Sequence, residues 1–242
     1  MQGANAVQKP GAEPTGPSTA DVYVNGTAVT CDRSGVLWLP DSGALVVSDL
    51  HLEKGAAHAR RGLLLPPYDT AATLARLGRA VAHYDPRLII SLGDSFHDRS
   101  GSRHLPDQYR EELASLQRGR EWNWIEGNHD PDRPEGLAGT WCSELHLETL
   151  VFRHEPKYGA ADGEVAGHLH PVARVVRRGK GVRRACFASD GKRLLMPAFG
   201  STTGGLELRH PAMRGLFDRD QLVAHLLGRE RIYSIAFTRM SG

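Results

Sequence analysis

Four times in this chain an apolar, strand-like run stops at a cluster of metal-ligand residue types. LVVSDLH ends in Asp49 and His51, IISLGDSFHD in Asp94, WIEGNHD in Asn128, and EVAGHLH in His168 and His170. Polar groups of this kind are costly to bury unpaired, and in open sheets with parallel strands ligands gather at the carboxyl ends of the strands. The chain is therefore expected to adopt a fold that brings these strand ends to one crevice. On an extended segment residues i and i+2 point to the same side, which would let Asp49 and His51 grip one metal and bring His168 and His170 to one edge. Gly93, Gly127 and Gly167 each precede a ligand, where the chain is expected to turn sharply without a Cβ. Any one cluster alone reads as a turn or a helix cap; the ordered set, each after an apolar run, carries the signal.

Histidine is unusually frequent, at 12 of 242 residues, which fits metal chemistry. Charge is nearly balanced, with 30 Lys and Arg against 28 Asp and Glu, so an anionic partner must be attracted by a local patch or a bound metal. No apolar stretch approaches the roughly 20 residues of a membrane span, and no membrane partner is expected. Cys31, Cys142 and Cys186 are odd in number and widely spaced, which fits neither a disulfide framework nor a Cys-based zinc site. A reducing, cytoplasmic location is expected.

Residues 1–20 are Pro, Gly, Ala and small polar residues without an apolar run and read as a disordered tail; 21–242 read as one domain without internal repeats. Val22 to Val24, Asn25-Gly26 and Thr27 to Thr30 read as a type I′ hairpin. Leu74, Leu77, Val81 and Tyr84 predict an amphipathic helix after Pro66-Pro67, and Tyr109, Leu113 and Leu116 a second one ending before Gly119. Arg87 to Leu92 and Trp122 to Ile125 are strand candidates, so the middle of the chain alternates strand and helix, the pattern of parallel strands with crossover helices. Beyond Cys142 short strands dominate: 144–147, 150–153, 164–166, 172–176, 183–188 and 194–199. A last helix is expected from Asp218, paired with Gln221 in a capping box and carrying Leu222, Leu226 and Leu227, before a closing strand from Ile232 to Phe237. Two sheets packed face to face, with helices outside, would use all of these elements.

The ordered set D-x-H, G-D, G-N-H, lone H and G-H-x-H resembles the calcineurin-like metallophosphoesterase superfamily. Here it reads Asp49-Leu50-His51, Gly93-Asp94, Gly127-Asn128-His129-Asp130, His154 and Gly167-His168-Leu169-His170. The resemblance implies an α/β fold of four layers, α/β/β/α, with two facing mixed sheets flanked by helices. It also implies two divalent metals at one edge. One would take Asp49, His51 and His170, the other Asn128, His154 and His168, with Asp94 bridging. His146 is the alternative to His154 as lone histidine; His154 is preferred because it follows the apolar run Leu150 to Phe152 and precedes Pro156. His129 matches the superfamily's non-ligand histidine near the scissile phosphate. A donor set of N and O without thiolate suits Mn²⁺, Fe²⁺ or Zn²⁺. Two such ions, ~3.5–4 Å apart, can hold a hydroxide nucleophile and clamp the attacking and leaving oxygens of an in-line displacement at phosphorus. His129 would then assist the leaving alkoxide.

SDLHLEKG, Arg60-Arg61-Gly62, LLPPYDT, LGDSFHD, WIEGNHDP, AGHLHP and MPAFGSTTGG are together similar to the bacterial ligase-associated DNA damage response endonucleases, over about residues 30 to 238. That resemblance implies Mn²⁺, and action on single-stranded DNA, or DNA with single-stranded loops or flaps, in DNA repair. It implies functional association with a DNA ligase and a helicase; homo-oligomerisation stays open. His97 departs from the commoner G-D-x-x-D pattern and either contacts the phosphate, as a further catalytic candidate, or orients a loop. Arg60 and Arg61 are placed to meet a phosphate. RVVRRGKGVRR (174–184) is a basic hairpin that could track a nucleic-acid backbone or stand solvated. Tyr68, Trp122 and Phe199 are expected in the core rather than stacked on bases. Two other readings stand beside the endonuclease: a phosphoesterase acting on a nucleotide or small phosphomonoester, and a scaffold that keeps the fold without catalysis.

Overall fold

Asn25 (φ 48°) and Gly26 (φ 82°) close the first hairpin as the type I′ turn requires, joining β1 (Thr19–Val24) to β2 (Thr27–Asp32). The structure is a computed structural model and describes residues 18–60, 62–63, 68–159, 161–177 and 180–240, with nothing said of the side chains of 176, 177 and 180. The expected tail lies outside the described residues up to 17. Strand β1 begins at Thr19, so Thr19 and Ala20 belong to the sheet, pairing with Asp32 and Cys31.

The first sheet continues through β3 (Leu37–Leu39), β4 (Ala44–Val47), β5 (Leu88–Leu92), β6 (Glu121–Ile125) and β7 (Thr140–Cys142), with its strands in chain order. β1 to β4 pair antiparallel, and β4 to β7 run parallel. The crossovers carry α1 (Lys54–Arg60), α2 (Asp69–Tyr84) and α3 (Asp107–Gln117). Helix α2 ends where Asp85 enters the left-handed region (φ 41°) and its N–H reaches the Val81 carbonyl. The second sheet comprises β8 (Glu144–Leu147), β9 (Leu150–Arg153), β10 (Glu164–Ala166), β11 (Pro171–Arg177), β12 (Lys180–Ser189), β13 (Arg193–Leu195), β14 (Leu206–Glu207), β15 (Val223–Leu227) and β16 (Ile232–Ala236). Its order is β14-β11-β12-β13-β10-β9-β8, with β15 paired to β12 and β16 beyond it. β10 runs parallel to both β9 and β13.

Period-two alternation sorts the strand residues into separate cores. Val46 of β4, Ile90 and Leu92 of β5, and Ile125 of β6 meet Phe152, Val165, Phe187 and Leu194 of the second sheet. Their neighbours Leu45, Val47, Ile89, Trp122 and Trp124 pack instead on Leu74, Leu77 and Val81 of α2 and Leu113 of α3. The expected α/β fold with two facing mixed sheets is thus present.

The outer face of the second sheet differs from expectation. Cys186, Ala188, Leu195 and Leu226 are covered by Leu208, Met213, Leu216, Leu222, Phe237 and Met240, which lie in loops and two short 3-10 turns. The helix expected from Asp218 is strand β15. The Asp218 carboxylate accepts the Asp220 N–H (3.0 Å) in a local turn, while the Asp218 N–H goes to Asp190 (2.9 Å), so no capping box forms. Ladders to β12 and β16 then hold 223–227 extended. The strand expected at 194–199 spans only Arg193–Leu195. Helix α1 and strands β7 and β14 had no periodic signature; α1 buries only Gly55 and Ala57. Pro66-Pro67 lie outside the described residues.

Candidate metal centre

Every expected ligand follows the carboxyl end of a strand that runs parallel to a neighbour. β4 leads to Asp49 and His51, β5 to Asp94, β6 to Asn128, β9 to His154, and β10 to His168 and His170. The first two loops are zipped together by Asp49 N–H to Gly93 O (3.2 Å), His51 N–H to Asp94 O (2.9 Å) and Leu52 N–H to Ser95 O (2.9 Å). Asp49 and His51 do not share a face through the expected extended i, i+2 geometry: both have left the strand and hold φ of 53° and 45°. Asp94, His168 and His170 are also left-handed (46°, 63° and 45°). Five non-glycine residues in a sparsely populated conformation mark a site whose surroundings impose its geometry.

The glycines before the ligands serve two purposes. Gly93 takes a positive φ (73°), the sharp turn expected of it. Gly127 and Gly167 do not; they are needed because other atoms lie where a Cβ would be. At Gly127 these are the Asp94 N–H and carboxylate, and at Gly167 the Ser48 hydroxyl and Asp49 Oδ2.

Two ligand groups result: Asp49, His51 and His170, and Asp94, His154 and His168, with the donor atoms of each within 4.8 Å of one another. Asn128 Oδ1 joins the second group, 3.0 Å from His154 Nε2 and 2.9 Å from His168 Nδ1. Asp94 stands between the groups. Its Oδ1 accepts the His129 N–H (2.9 Å), leaving Oδ2 at 3.4 Å from His154 Nε2 and 3.8 Å from His51 Nε2. His154, rather than His146, occupies the site: it is 4% exposed, whereas His146 sits on the surface beside Glu144 (3.1 Å).

The donor chemistry fits divalent cations. His154 Nδ1–H donates to the Leu92 carbonyl (3.1 Å) and His170 Nδ1–H to the Gly204 carbonyl (3.1 Å), so each directs an Nε2 lone pair into the cluster. Asp49 Oδ1 and His170 Nε2 face each other as a buried ion pair 3.0 Å long, and His51 Nδ1 is buried with no hydrogen-bond partner. Buried polar atoms without partners are what an ion would satisfy. Burial raises the Asp94 carboxyl, but His154 and the His129 N–H outweigh it and hold the group down at about 2. Burial similarly opposes the charged form of His154, yet Asp94 and Asp49 lift it to about 9. A cation entering here would displace that proton and take over its role of neutralising the carboxylates.

His129 and His97 lie beside the groups without joining them. Their rings stack at 5.5 Å, and His129 Nδ1–H donates to the His97 carbonyl (2.9 Å), leaving Nε2 4.0 Å from Asp94 Oδ2. Burial and the neighbouring His129 push the His97 imidazole down to about 4, so it is neutral near pH 7. Arg60 is tied to Asp98 (3.3 Å), and Arg61 lies outside the described residues. Trp122 and Phe199 are core residues, 3% and 0% exposed, but Tyr68 is 73% exposed, contrary to expectation, because α2 starts only after it.

Three further residues contribute that the motifs do not single out as ligands. Ser48 Oγ–H donates to Asp49 Oδ2 (2.5 Å), as does the His168 N–H (3.2 Å), fixing which oxygen stays free. Asp130, the last residue of the G-N-H-D motif, is buried and accepts the Phe96 N–H (3.0 Å), bracing the Asp94 loop. His58 of α1 approaches the His97 ring at 5.1 Å. Only Asp130 carried a sequence signal, its place in the motif.

Two facing mixed sheets with a pair of N/O ligand groups at one edge define a metal-dependent phosphoesterase. The chain belongs to the calcineurin-like phosphoesterase family, which its residues 44–185 match. Among solved structures it is similar to the nuclease MPE of Pseudomonas putida, with 30% identity and a TM-score of 0.70 over 90% of this chain and 100% of that one. It also matches Yfce, a phosphoesterase from E. coli, at 17% identity and a TM-score of 0.41, over 80% of this chain and 98% of that one. No curated protein matches the chain. The three cysteines are free, and among the described residues no helix is long and apolar enough to cross a membrane.

Proposed function

We propose that the chain is a binuclear phosphodiesterase acting as an endonuclease on single-stranded DNA, in DNA repair in the cytoplasm, with Mn²⁺ as its working metal. The observation that carries this reading is the pair of ligand groups sharing the Asp94 Oδ2 face, with His129 Nε2 directed toward the same carboxylate. Similarity to a nuclease over nearly the whole chain supports the choice of a nucleic acid over a small ester. Asp49, His51 and His170 would hold one ion, Asn128, His154 and His168 the other, and Asp94 both. Ions bound there supply Lewis acidity and a water of lowered pKa.

The chain's own residues do the rest. The carbonyls of Leu92 and Gly204 fix the tautomers of His154 and His170 and so aim their Nε2 atoms. The His97 carbonyl engages the His129 Nδ1–H, so Nε2 faces the site, and it is the atom that, with the ring in its imidazolium form, can hand a proton to a departing alkoxide and be left a neutral imidazole. The stacked His97 ring restricts rotation of His129. An alkoxide is a poor leaving group, so this proton matters most for a diester.

The test is incubation of closed circular single-stranded DNA with the purified protein and Mn²⁺, Fe²⁺ or Zn²⁺. Asn128→Ala, His129→Ala and chelated samples run alongside. Nicking by the intact protein, abolished by Asn128→Ala and chelation and reduced on the order of 10²-fold or more by His129→Ala, is expected. An intact circle with a small phosphate ester still hydrolysed would replace the reading with a nucleotide or monoester phosphoesterase. Full activity of His129→Ala would remove its assigned role.

A further inference from the structure

His170 belongs to a ligand group and also lines a groove of about 710 Å³ that leads away from the site over α2 and β12. That volume lies within the ~300–1,000 Å³ of ligand-sized crevices. Four arginines line it, Arg33, Arg76, Arg79 and Arg183, against one carboxylate, Asp32. Asp32 is already occupied: it accepts the Tyr84 hydroxyl (2.7 Å) and the Ser34 N–H (2.6 Å).

Arg76 and Arg79 stand one turn apart on the same face of α2. Among the described residues neither has an ion-pair partner, and Arg76 Nε is buried without a hydrogen bond. The Arg76 guanidinium lies 4.1 Å over the Phe199 ring, which fixes its plane. Burial and the charge of Arg79 both push Arg76 below its usual range, the condition of a cation held without its counter-ion. Arg183 enters from the basic hairpin, anchored through Glu207 (3.6 Å) and the Gly205 carbonyl. On the far side of the ligand groups a second cleft is lined by His97, Asn128 and His129. The His51 ring lies between, 5.5 Å from His170 and 5.3 Å from His129.

We propose that the arginine groove beside His170 is a track for the phosphates of a single DNA strand, which crosses the two ligand groups and leaves along the His129 cleft. This rests on the nuclease reading and adds to it the path of the strand. Phosphates on the His170 side would meet Arg76 and Arg79, whose planar forks suit a phosphodiester. Base edges are not read, so the contacts carry affinity without sequence preference.

The test is binding of a fluorescent oligothymidylate across a salt series, with cleavage silenced by chelation in every sample. Each neutralised phosphate adds ~0.7 to the salt slope for a single strand. Arg76→Gln/Arg79→Gln should therefore flatten the slope by roughly 1 to 1.5. Because Arg76 packs on Phe199, Arg79→Glu on the exposed turn serves as the variant that keeps the core intact; it should weaken binding roughly tenfold at low salt and abolish the advantage of a twelve-nucleotide strand over a trinucleotide. Unchanged affinity and slope in Arg79→Glu would overturn the groove while leaving the nuclease reading standing. In a separate assay without chelator and with Mn²⁺ added, an equal fall in hydrolysis of bis(p-nitrophenyl) phosphate would also overturn it, by tracing the loss to the metal site. Wild-type protein that neither binds the strand nor cleaves the small diester would overturn both.

Discussion

Left-handed backbone at Asp49, His51, Asp94, His168 and His170 places each residue where an L side chain costs ~1–3 kcal/mol. The hydrogen bonds across the loops hold them there, and the neighbouring glycines let the loops close. Gly167 is the sharpest case, since a methyl group there would meet Ser48 Oγ and Asp49 Oδ2. Gly167→Ala should displace Asp49 and weaken metal binding by ~10–100-fold, the usual effect of disturbing the groups that orient ligands, with secondary structure retained. Metal titration followed by calorimetry or equilibrium dialysis reads this; unaltered affinity would show that the loop relaxes without moving the carboxylate. The order of the motifs in the sequence named the residues that the structure brings together in the two candidate ligand groups, because each motif specifies its residue types. Their conformation was not: the extended i, i+2 geometry failed for Asp49 and His51, and closeness rather than turning explains Gly127 and Gly167. Those reasons lie in loops from distant parts of the chain, such as Ser48 against Gly167.

Elements with a strong local period were legible. The apolar runs of β4, β5, β6 and β10 and the stripe Leu74, Leu77, Val81 on α2 needed no tertiary information. Short elements were decided by partners. Leu222, Leu226 and Leu227 fit a helical stripe, but β12 offered a free edge and the 223–227 segment took it. That hairpin carries a buried histidine, His225, whose Nδ1 lies 2.8 Å from Ser234 Oγ. Burial depresses His225 to about 4. Between about pH 6.5 and 4 the unfolded chain therefore binds more protons at this residue than the folded one, and stability falls as pH drops through that window. The loss is about 2 kcal/mol at pH 5 and about 3 kcal/mol below pH 4. Urea unfolding of wild type and His225→Gln at pH 7.5 and 5 should give a smaller acid-induced loss for the variant by about that amount. Parallel losses would mean that His225 protonates as readily in the folded protein as in the unfolded one.

At the scale of the whole molecule, each ligand group draws on both sheets. Asp49, His51, Asp94 and Asn128 follow strands of the first, and His154, His168 and His170 follow strands of the second. Bound ions would clamp the sheets across the open edge of their shared core. Metal at about a hundredfold its dissociation constant stabilises a protein that binds it only when folded by about 2.7 kcal/mol, or roughly 5–10 °C in a chain of this size. Chelation should lower the thermal midpoint by that much in wild type and by less in Asn128→Ala, as scanning calorimetry would record. Equal midpoints with and without chelator would mean that the sheets do not depend on the centre. The division of the ligands also sets an order in time. A growing chain presents Asp49, His51, Asp94 and Asn128 first, and neither group is complete until His154, His168 and His170 have left the ribosome and β10 has docked beside β9. A half-made polypeptide thus lacks both finished cation sites, and its hydrolytic power is withheld until the second sheet closes over the first.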